Sequence, residues 1–485
     1  MYNGTVKSLS YAVRAGVVFK YFGQFCLVAA ALTSVSFAVS LFFGEYDLSL
    51  RYAAVIAVQV TTGFLLGRRR APRGGIQNNE AMVLTALVFM FMSVLFTFVM
   101  LGGGLTLDDA FFEAVSGVTT TGLSTLSTLE NKPRTFLFAR AWLQWSGGLG
   151  IVVLTVALIS GPGVVARRLV DFGETNDLVG STRIYARRIL IVYALLTVGG
   201  FLLILLSGVA PFTAFIHTLA AISTGGFSSY DRSLEGLGGW GPRTAVMGVS
   251  ALGAISLALY YKIYRDGPAV LRTDIQLKAI VALALISTGL LWAVFLITQS
   301  VDNSTGGHAA LMAISAQTTT GFSTLDVGEL DQAAKLVMIL SMVIGGGIGS
   351  TAGGIKTLRL LIVLRMIKLI FDRSCLPEHA VLEPSLAGTK LKRGEIEHAL
   401  LLVILFCLVI FVSWLPFVIM GYDPLDSLFE VVSATGTVGL SAGITSIDLP
   451  VFLKMVLCAD MLMGRLEIVA LLVLFYPRTW LGRRM

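Results

Sequence analysis

The chain has 485 residues, 55% hydrophobic and 13% charged, with a formal net charge of +7 and a mean hydropathy of +0.83. Soluble domains carry roughly 25% charged residues, so the composition excludes a soluble globular protein and indicates an all-α polytopic protein of the lipid bilayer. The basic residues lie in short connections between apolar stretches, which argues against nucleic acid as a partner. Cys26, Cys375, Cys407 and Cys458 show no paired spacing, and neither a disulfide framework nor a zinc site is indicated. The first apolar stretch is too long for a cleavable signal and has no clear small-residue cleavage site.

A spanning helix needs about 20 mostly apolar residues. In chain order the candidates are 18–43, 50–68, 81–101, 135–159, 186–207, 243–263, 276–299, 333–372 (interrupted), 396–420 and 451–476. Four shorter apolar segments, 108–118, 211–222, 308–317 and 423–434, read as re-entrant half-helices. Basic residues cluster in one set of connections: Arg68, Arg69, Arg70 and Arg73; Arg167, Arg168, Arg183, Arg187 and Arg188; Lys262, Arg265 and Arg272; and 356–393. The opposite set carries Asp108, Asp109, Asp231, Asp302, Asp326, Asp423 and Asp426. Positive-inside bias then puts both termini in the cytoplasm and brings all four half-helices in from outside.

Each half-helix leads into one Thr/Gly loop: 118–124, 222–228, 317–323 and 435–441. Copies one and four align without a gap. Asp109, Phe112, Glu113, Ser116, Gly122, Leu123 and Ser124 match Asp426, Phe429, Glu430, Ser433, Gly439, Leu440 and Ser441. Gly147, Gly346 and Gly464 lie 25 residues after Gly122, Gly321 and Gly439, whereas Gly253 lies 27 after Gly226, so the second copy has a longer outer connection. Such a period marks a repeat architecture. It predicts four tandem helix–pore-helix–filter–helix units around one pore, at 76–170, 171–268, 269–380 and 381–485, preceded by an extra pair of transmembrane helices at 1–75.

A dehydrated monovalent cation needs several oxygen ligands of moderate field strength, which a ladder of backbone carbonyls supplies. Glycine permits the φ > 0 values such a ladder requires. The expected ion-binding positions are Thr119, Thr120, Thr121 and Gly122; Ser223, Thr224, Gly225 and Gly226; Thr318, Thr319, Thr320 and Gly321; and Gly436, Thr437, Val438 and Gly439. Each half-helix should aim its partly negative C-terminal end at the axis. Asp109 and Asp426 fall where N-caps are expected.

These loops resemble those of the membrane subunit of Trk-type potassium uptake systems, in the Trk/Ktr/HKT superfamily. The matching residues are Thr-Thr-Thr-Gly (119–122), Ser-Thr-Gly-Gly-Phe (223–227), Thr-Thr-Thr-Gly-Phe (318–322), Thr-Val-Gly-Leu (437–440), Gln-Trp-Ser-Gly-Gly-Leu-Gly (144–150) and the interrupted helix near 345–354. The resemblance implies four potassium-channel-like units in the bacterial inner membrane and a homodimer with one pore per subunit. It also implies a TrkA-like cytosolic nucleotide-binding regulatory subunit. Members with serine at the first filter glycine favour sodium, so glycine at all four positions implies K+ as the transported ion, with no organic cofactor.

Six glycines between 345 and 354, each costing a helix about 1 kcal/mol against alanine, should break the third unit's last helix. Gly345, Gly346, Gly347, Gly349, Gly353, Gly354 and Lys356 are therefore expected in an intramembrane gate loop; a static kink for close helix packing is the alternative. Arg465 falls mid-membrane, where an arginine is costly and marks function. The register faces it to the pore axis below the filter, and the family carries an arginine at the matching position. The sequence also allows a structural pair with Glu467 or Asp460, or snorkelling towards the cytoplasm. Glu113 and Glu430 can attract cations or, as favoured here, brace the filter through backbone amides. His217, His308, His379 and His398 have no metal spacing. The loop 373–395 reads as a partner contact or a solvated linker. An ion-coupled secondary transporter is the alternative function. An enzyme is not expected, because paired intramembrane histidines and a carboxylate–metal cluster are lacking.

Overall fold

The computed structural model describes residues 12–69, 76–159, 178–298, 304–375, 377 and 383–481. The basic residues Arg70, Arg73, Arg167 and Arg168, the histidine His379 and the expected unit boundaries near 75, 170 and 380 lie outside them. The described residues are mostly helical. Helices Ala15–Phe42 and Tyr46–Gly67 pack as an antiparallel pair, in which Gly23 lies so close to Gly67 that a Cβ would stand 2.3 Å from its nitrogen. Small residues bring helices together in this way in lipid.

Four sets of outer helix, half-helix and inner helix follow. The outer helices are Asn78–Met100, Leu178–Leu206, Ile275–Ile297 and Arg393–Ile419; the half-helices are Leu107–Val118, Pro211–Ile222, Thr305–Gln317 and Pro424–Thr435. The first inner helix, Arg134–Ile159, is continuous. It begins 12 residues after Gly122, whereas the second begins at Trp240, 14 after Gly226, and a 3-10 turn at Ser233–Leu237 fills the longer connection. The largest apolar core joins the first outer helix and half-helix to the first and fourth inner helices, through Phe96, Phe112, Phe136, Leu457 and Met461.

Three inner helices are broken, where only one break was expected. The third stops at Val343 and resumes at Thr357, as the glycine run requires. The second, expected as one span over 243–263, ends at Ala254 and turns 83° into Leu257–Asp266. The fourth, expected over 451–476, ends at Arg465 and resumes at Val469 after left-handed Glu467 and Ile468 (φ 54° and 62°). The second break is made by tertiary contact. The amides of Gly347 and Thr351 bond the carbonyls of Ala254 and Gly253 at 3.0 and 3.2 Å, and Leu257 bonds that of Gly349 at 3.1 Å. Broken backbone survives at membrane depth when protein satisfies it in this way. Among the described residues six helices are long and apolar enough to cross a membrane alone, and the bent pair makes a seventh. Within 373–395, Ser385–Leu386 pairs with Thr389–Lys390 as a short hairpin turned by left-handed Ala387 and Gly388. It is tied to Thr357–Ser374 by Arg365 Nε bonding the Ser385 carbonyl at 2.9 Å.

Candidate ion pathway

All four half-helices end alike. The amide one residue before each key glycine bonds back to a carbonyl five residues earlier: Thr121 to Ser116, Gly225 to Ala220, Thr320 to Ser315 and Val438 to Ser433, at 2.8–3.0 Å. This is the long bond of a Schellman ending, which needs a left-handed residue. Glycine normally fills that place; here it is Thr120, Thr224, Thr319 and Thr437, with φ of 50–56°. A β-branched residue there is strained, and such strain clusters at functional sites. Two residues on, Gly122, Gly226, Gly321 and Gly439 take φ of 91°, 77°, 85° and 94°.

The loops close into a ring. A Cβ on Gly122 would stand 2.1 Å from the Gly225 carbonyl oxygen. On Gly226 it would stand 1.9 Å from that of Thr320, on Gly321 2.0 Å from that of Val438, and on Gly439 2.1 Å from that of Thr121. Each key glycine thus touches the carbonyl preceding the key glycine of the next loop, around four loops and back. Inner-helix glycines press the half-helix ends from behind. A Cβ on Gly147, Gly253 or Gly464 would stand 2.1, 2.4 or 1.9 Å from the carbonyl of Val118, Ile222 or Thr435. The sequence register paired these three correctly but not Gly346, where a Cβ would stand 2.4 Å from the Ala254 carbonyl, because the third inner helix has already stopped at Val343.

Nine residues before each key glycine sits a side chain bonded to the segment that follows that glycine. Glu113 accepts from Ser124 and, at 2.9 Å, from Arg140 Nε. Glu430 accepts from Ser441 Oγ at 2.5 Å, Thr445 Oγ1 at 2.7 Å and the Ala442 amide at 2.9 Å. In copy two the position is His217, whose Nε2 lies 3.2 Å from Ser228 Oγ; in copy three it is Met312, whose sulfur accepts from the Thr324 amide at 3.3 Å. His308 meets Thr324 Oγ1 at 2.9 Å. The equivalence of His217 and Met312 to the glutamates was missed, although the spacing to the following serine carries it. Arg140 was missed too: buried, it joins Glu113, Ser124 Oγ and the Ser228 carbonyl, and lies 3.8 Å over the Phe227 ring.

Asp109 and Asp426 are not N-caps. Thr106 and Asp423, three residues earlier, cap the half-helices. A cap must precede the first helical turn, and the half-helices begin at Leu107 and Pro424, ahead of both aspartates. The two aspartates instead pair with lysines of neighbouring inner helices, Asp109 with Lys454 and Asp426 with Lys335, both at 2.7 Å.

Beneath the ring, the segment 344–356 folds back on itself through a bridge between Ile344 and Ile355. Gly345 and Gly346 are buried here, and Gly349 and Gly354 are left-handed (φ 74° and 61°). The Gly353 amide bonds Thr319 Oγ1 at 2.7 Å, and Thr351 Oγ1 lies 3.3 Å from Thr224 Oγ1. Lys356 turns its ammonium onto the Ala352 carbonyl. Buried Arg465 donates to the carbonyls of Thr351 at 2.7 Å and Gly147 at 3.3 Å. The partners that the alternative reading offered are engaged elsewhere: Glu467 pairs with Arg359 at 2.5 Å, and Asp460 accepts from Ser413 Oγ at 2.6 Å.

These features define a multi-pass membrane protein in which four half-helix loops close into one ring, with a folded segment beneath it. Residues 49–480 match the TrkH family of cation transport proteins, and the chain belongs to that family. It is 32% identical over 422 residues to an uncharacterized cation transporter of Methanocaldococcus jannaschii, covering 85% of each chain. It is 33% identical over 395 residues to the Trk system potassium uptake protein TrkH of Escherichia coli, covering 78% of this chain and 80% of that one. The crystal structure of the potassium transporter TrkH from Vibrio parahaemolyticus has the same fold. Its TM-score is 0.86 at 23% identity, covering 96% of this chain and 100% of that one.

Proposed function

We propose that this chain takes up potassium across the bacterial inner membrane by channel-like permeation through the Thr/Gly ring, with both termini in the cytoplasm. The carrying observation is the closed ring of left-handed threonines and glycines at the ends of four half-helices, in which one backbone carbonyl of each loop lies against the key glycine of its neighbour. Carbonyl oxygens replace an ion's hydration shell, and the half-helix ends add favourable negative potential. In this reading the chain divides into an N-terminal helix pair (1–75) and four pore units (76–170, 171–268, 269–380 and 381–485). Residues 119–122, 223–226, 318–321 and 436–439 hold K+, braced by Glu113 and Glu430. The segment 345–354, with Lys356 and Arg465, is the gate. A homodimer and a cytosolic nucleotide-binding subunit complete the assembly; potassium uptake is the activity that relatives' names carry.

Tracer Rb+ uptake into proteoliposomes tests this reading, with unlabelled K+ or Na+ as competitor and Gly353→Ala as a second chain with a displaced gate. The reading expects K+ to compete far better than Na+. Equal competition, or no uptake by either chain, overturns it.

A further inference from the structure

The residue before each key glycine is Thr121, Gly225, Thr320 or Val438. Three are β-branched and the second is bare. Backbone geometry does not ask for glycine there, because Gly225 is outside the left-handed region that its neighbour Gly226 occupies. The space is taken instead. A Cβ on Gly225 would stand 2.4 Å from Cδ, 2.6 Å from Oε1 and 2.8 Å from Nε2 of Gln144.

Gln144 is fully buried on the first inner helix. Its Nε2 donates to the Gly225 carbonyl at 2.6 Å, and its Oε1 accepts the Phe227 amide at 3.1 Å. The two bonds straddle Gly226 and fix which end of the carboxamide is which. They reach a carbonyl of the ring itself, the one against Gly122. In the corresponding register the other inner helices carry Ser250, Val343 and Met461, and each of the loops that follow them in the ring has its own β-branched residue.

We infer that Gln144 is a selectivity-determining positioning residue: its carboxamide replaces the side chain absent at Gly225 and clamps the second strand of the ring between Gly225 and Phe227. The inference rests on the potassium reading above. A strand with neither a side chain nor the clamp has no lateral support, so its carbonyl can turn from the axis. The clamp also withholds one lone pair of that carbonyl from the ion, which makes the ring chemically unequal at one of its four positions.

The test compares the wild type, Gln144→Ala, Gln144→Glu, Gly225→Thr and the double variant Gln144→Ala/Gly225→Thr, each confirmed as folded by gel filtration and melting temperature. Rb+ uptake competed by K+ or Na+ is read for each. Gln144→Ala is expected to keep Rb+ uptake while the K+/Na+ competition ratio falls about tenfold, the scale of one or two hydrogen bonds. Gln144→Glu keeps the shape but puts an oxygen against the Gly225 carbonyl, and should lower the ratio likewise; it carries the test if the alanine variant does not fold. Gly225→Thr alone overlaps Gln144 and should impair uptake. The double variant gives the second strand the same kind of side chain as the other three and should recover most of the ratio. A folded Gln144 variant with the wild-type ratio, or a double variant no better than either single one, overturns the inference. The wild-type arm tests the potassium reading separately: equal competition there defeats that reading and this inference with it.

Discussion

Arg465 and Thr351 meet across 2.7 Å, a guanidinium N–H on a backbone carbonyl, and so tie the end of the fourth inner helix to the segment interrupting the third. The same side chain reaches Gly147 of the first inner helix at 3.3 Å. One residue thereby fastens the loop beneath the ring to two other units. A hydrogen bond to a charged group contributes about 1.5–3 kcal/mol, so removing it should shift the loop's equilibrium roughly 10- to 100-fold toward release. Arg465→Gln is expected to raise Rb+ uptake in proteoliposomes that lack any regulatory subunit. Arg465→Lys keeps charge but loses the fork that reaches two carbonyls, and should fall between the two. Unchanged uptake in both variants would rule out the fastening role.

Gly353 gives a finer probe of the same loop. A Cβ there would stand 2.0 Å from Thr437 Oγ1 and 2.2 Å from the Gly436 carbonyl, against the underside of the ring. Its φ is not left-handed, so alanine strains contacts rather than backbone. Gly353→Ala should push the loop away and raise basal uptake with the K+/Na+ ratio kept. Deleting several residues of 345–354 should raise uptake further. A Gly353→Ala chain with wild-type uptake and melting temperature would mean that the contact with Gly436 and Thr437 does not hold the loop.

How much of this was legible in the sequence follows from where each signal resides. The half-helices and the break at 344–356 were readable because apolar length and glycine density are local properties. The ring was readable because four loops share one register. The break after Ala254 was not, since no glycine or proline lies at Ile255–Ser256; the bonds that end the helix come from Gly347 and Thr351, nearly a hundred residues away. Likewise Glu467 and Ile468 turn left-handed without a local cue, beside an ion pair with distant Arg359. His217 and Met312 escaped because the register was read by residue identity, and the same bond to the following segment is made by a carboxylate, an imidazole or a thioether.

The four key glycines carry a prediction about selectivity. At each, φ is left-handed and a Cβ would overlap the next loop's carbonyl at 1.9–2.1 Å. Serine must therefore displace a carbonyl of its neighbour as well as strain its own backbone. Gly439→Ser should lower the K+/Na+ competition ratio, and Gly122→Ser, Gly226→Ser and Gly321→Ser should act in the same direction because the ring is closed. A Gly439→Ser chain with unaltered competition would mean that these carbonyls do not select the ion.

The buried pair of Glu113 and Arg140 yields a stability prediction distinct from that at Glu430. Both partners are at most 2% exposed and meet at 2.9 Å. Arg140 also holds Ser124 and the Ser228 carbonyl, so it links the first and second loops. Removing one partner of such a pair leaves an uncompensated buried charge, at a cost of about 3–5 kcal/mol. Glu113→Ala should therefore lower the melting temperature of the purified protein strongly. In Glu113→Met/Arg140→Met no charge remains, and copy three already uses methionine at the corresponding place, so much of the loss should return. Glu430 is held by hydroxyls and amides, and Glu430→Gln, which keeps the shape and one carbonyl acceptor, should destabilise less than Glu113→Ala. Equal melting temperatures for Glu113→Ala and the double variant would show that the charge of Arg140 is not what makes the single change costly.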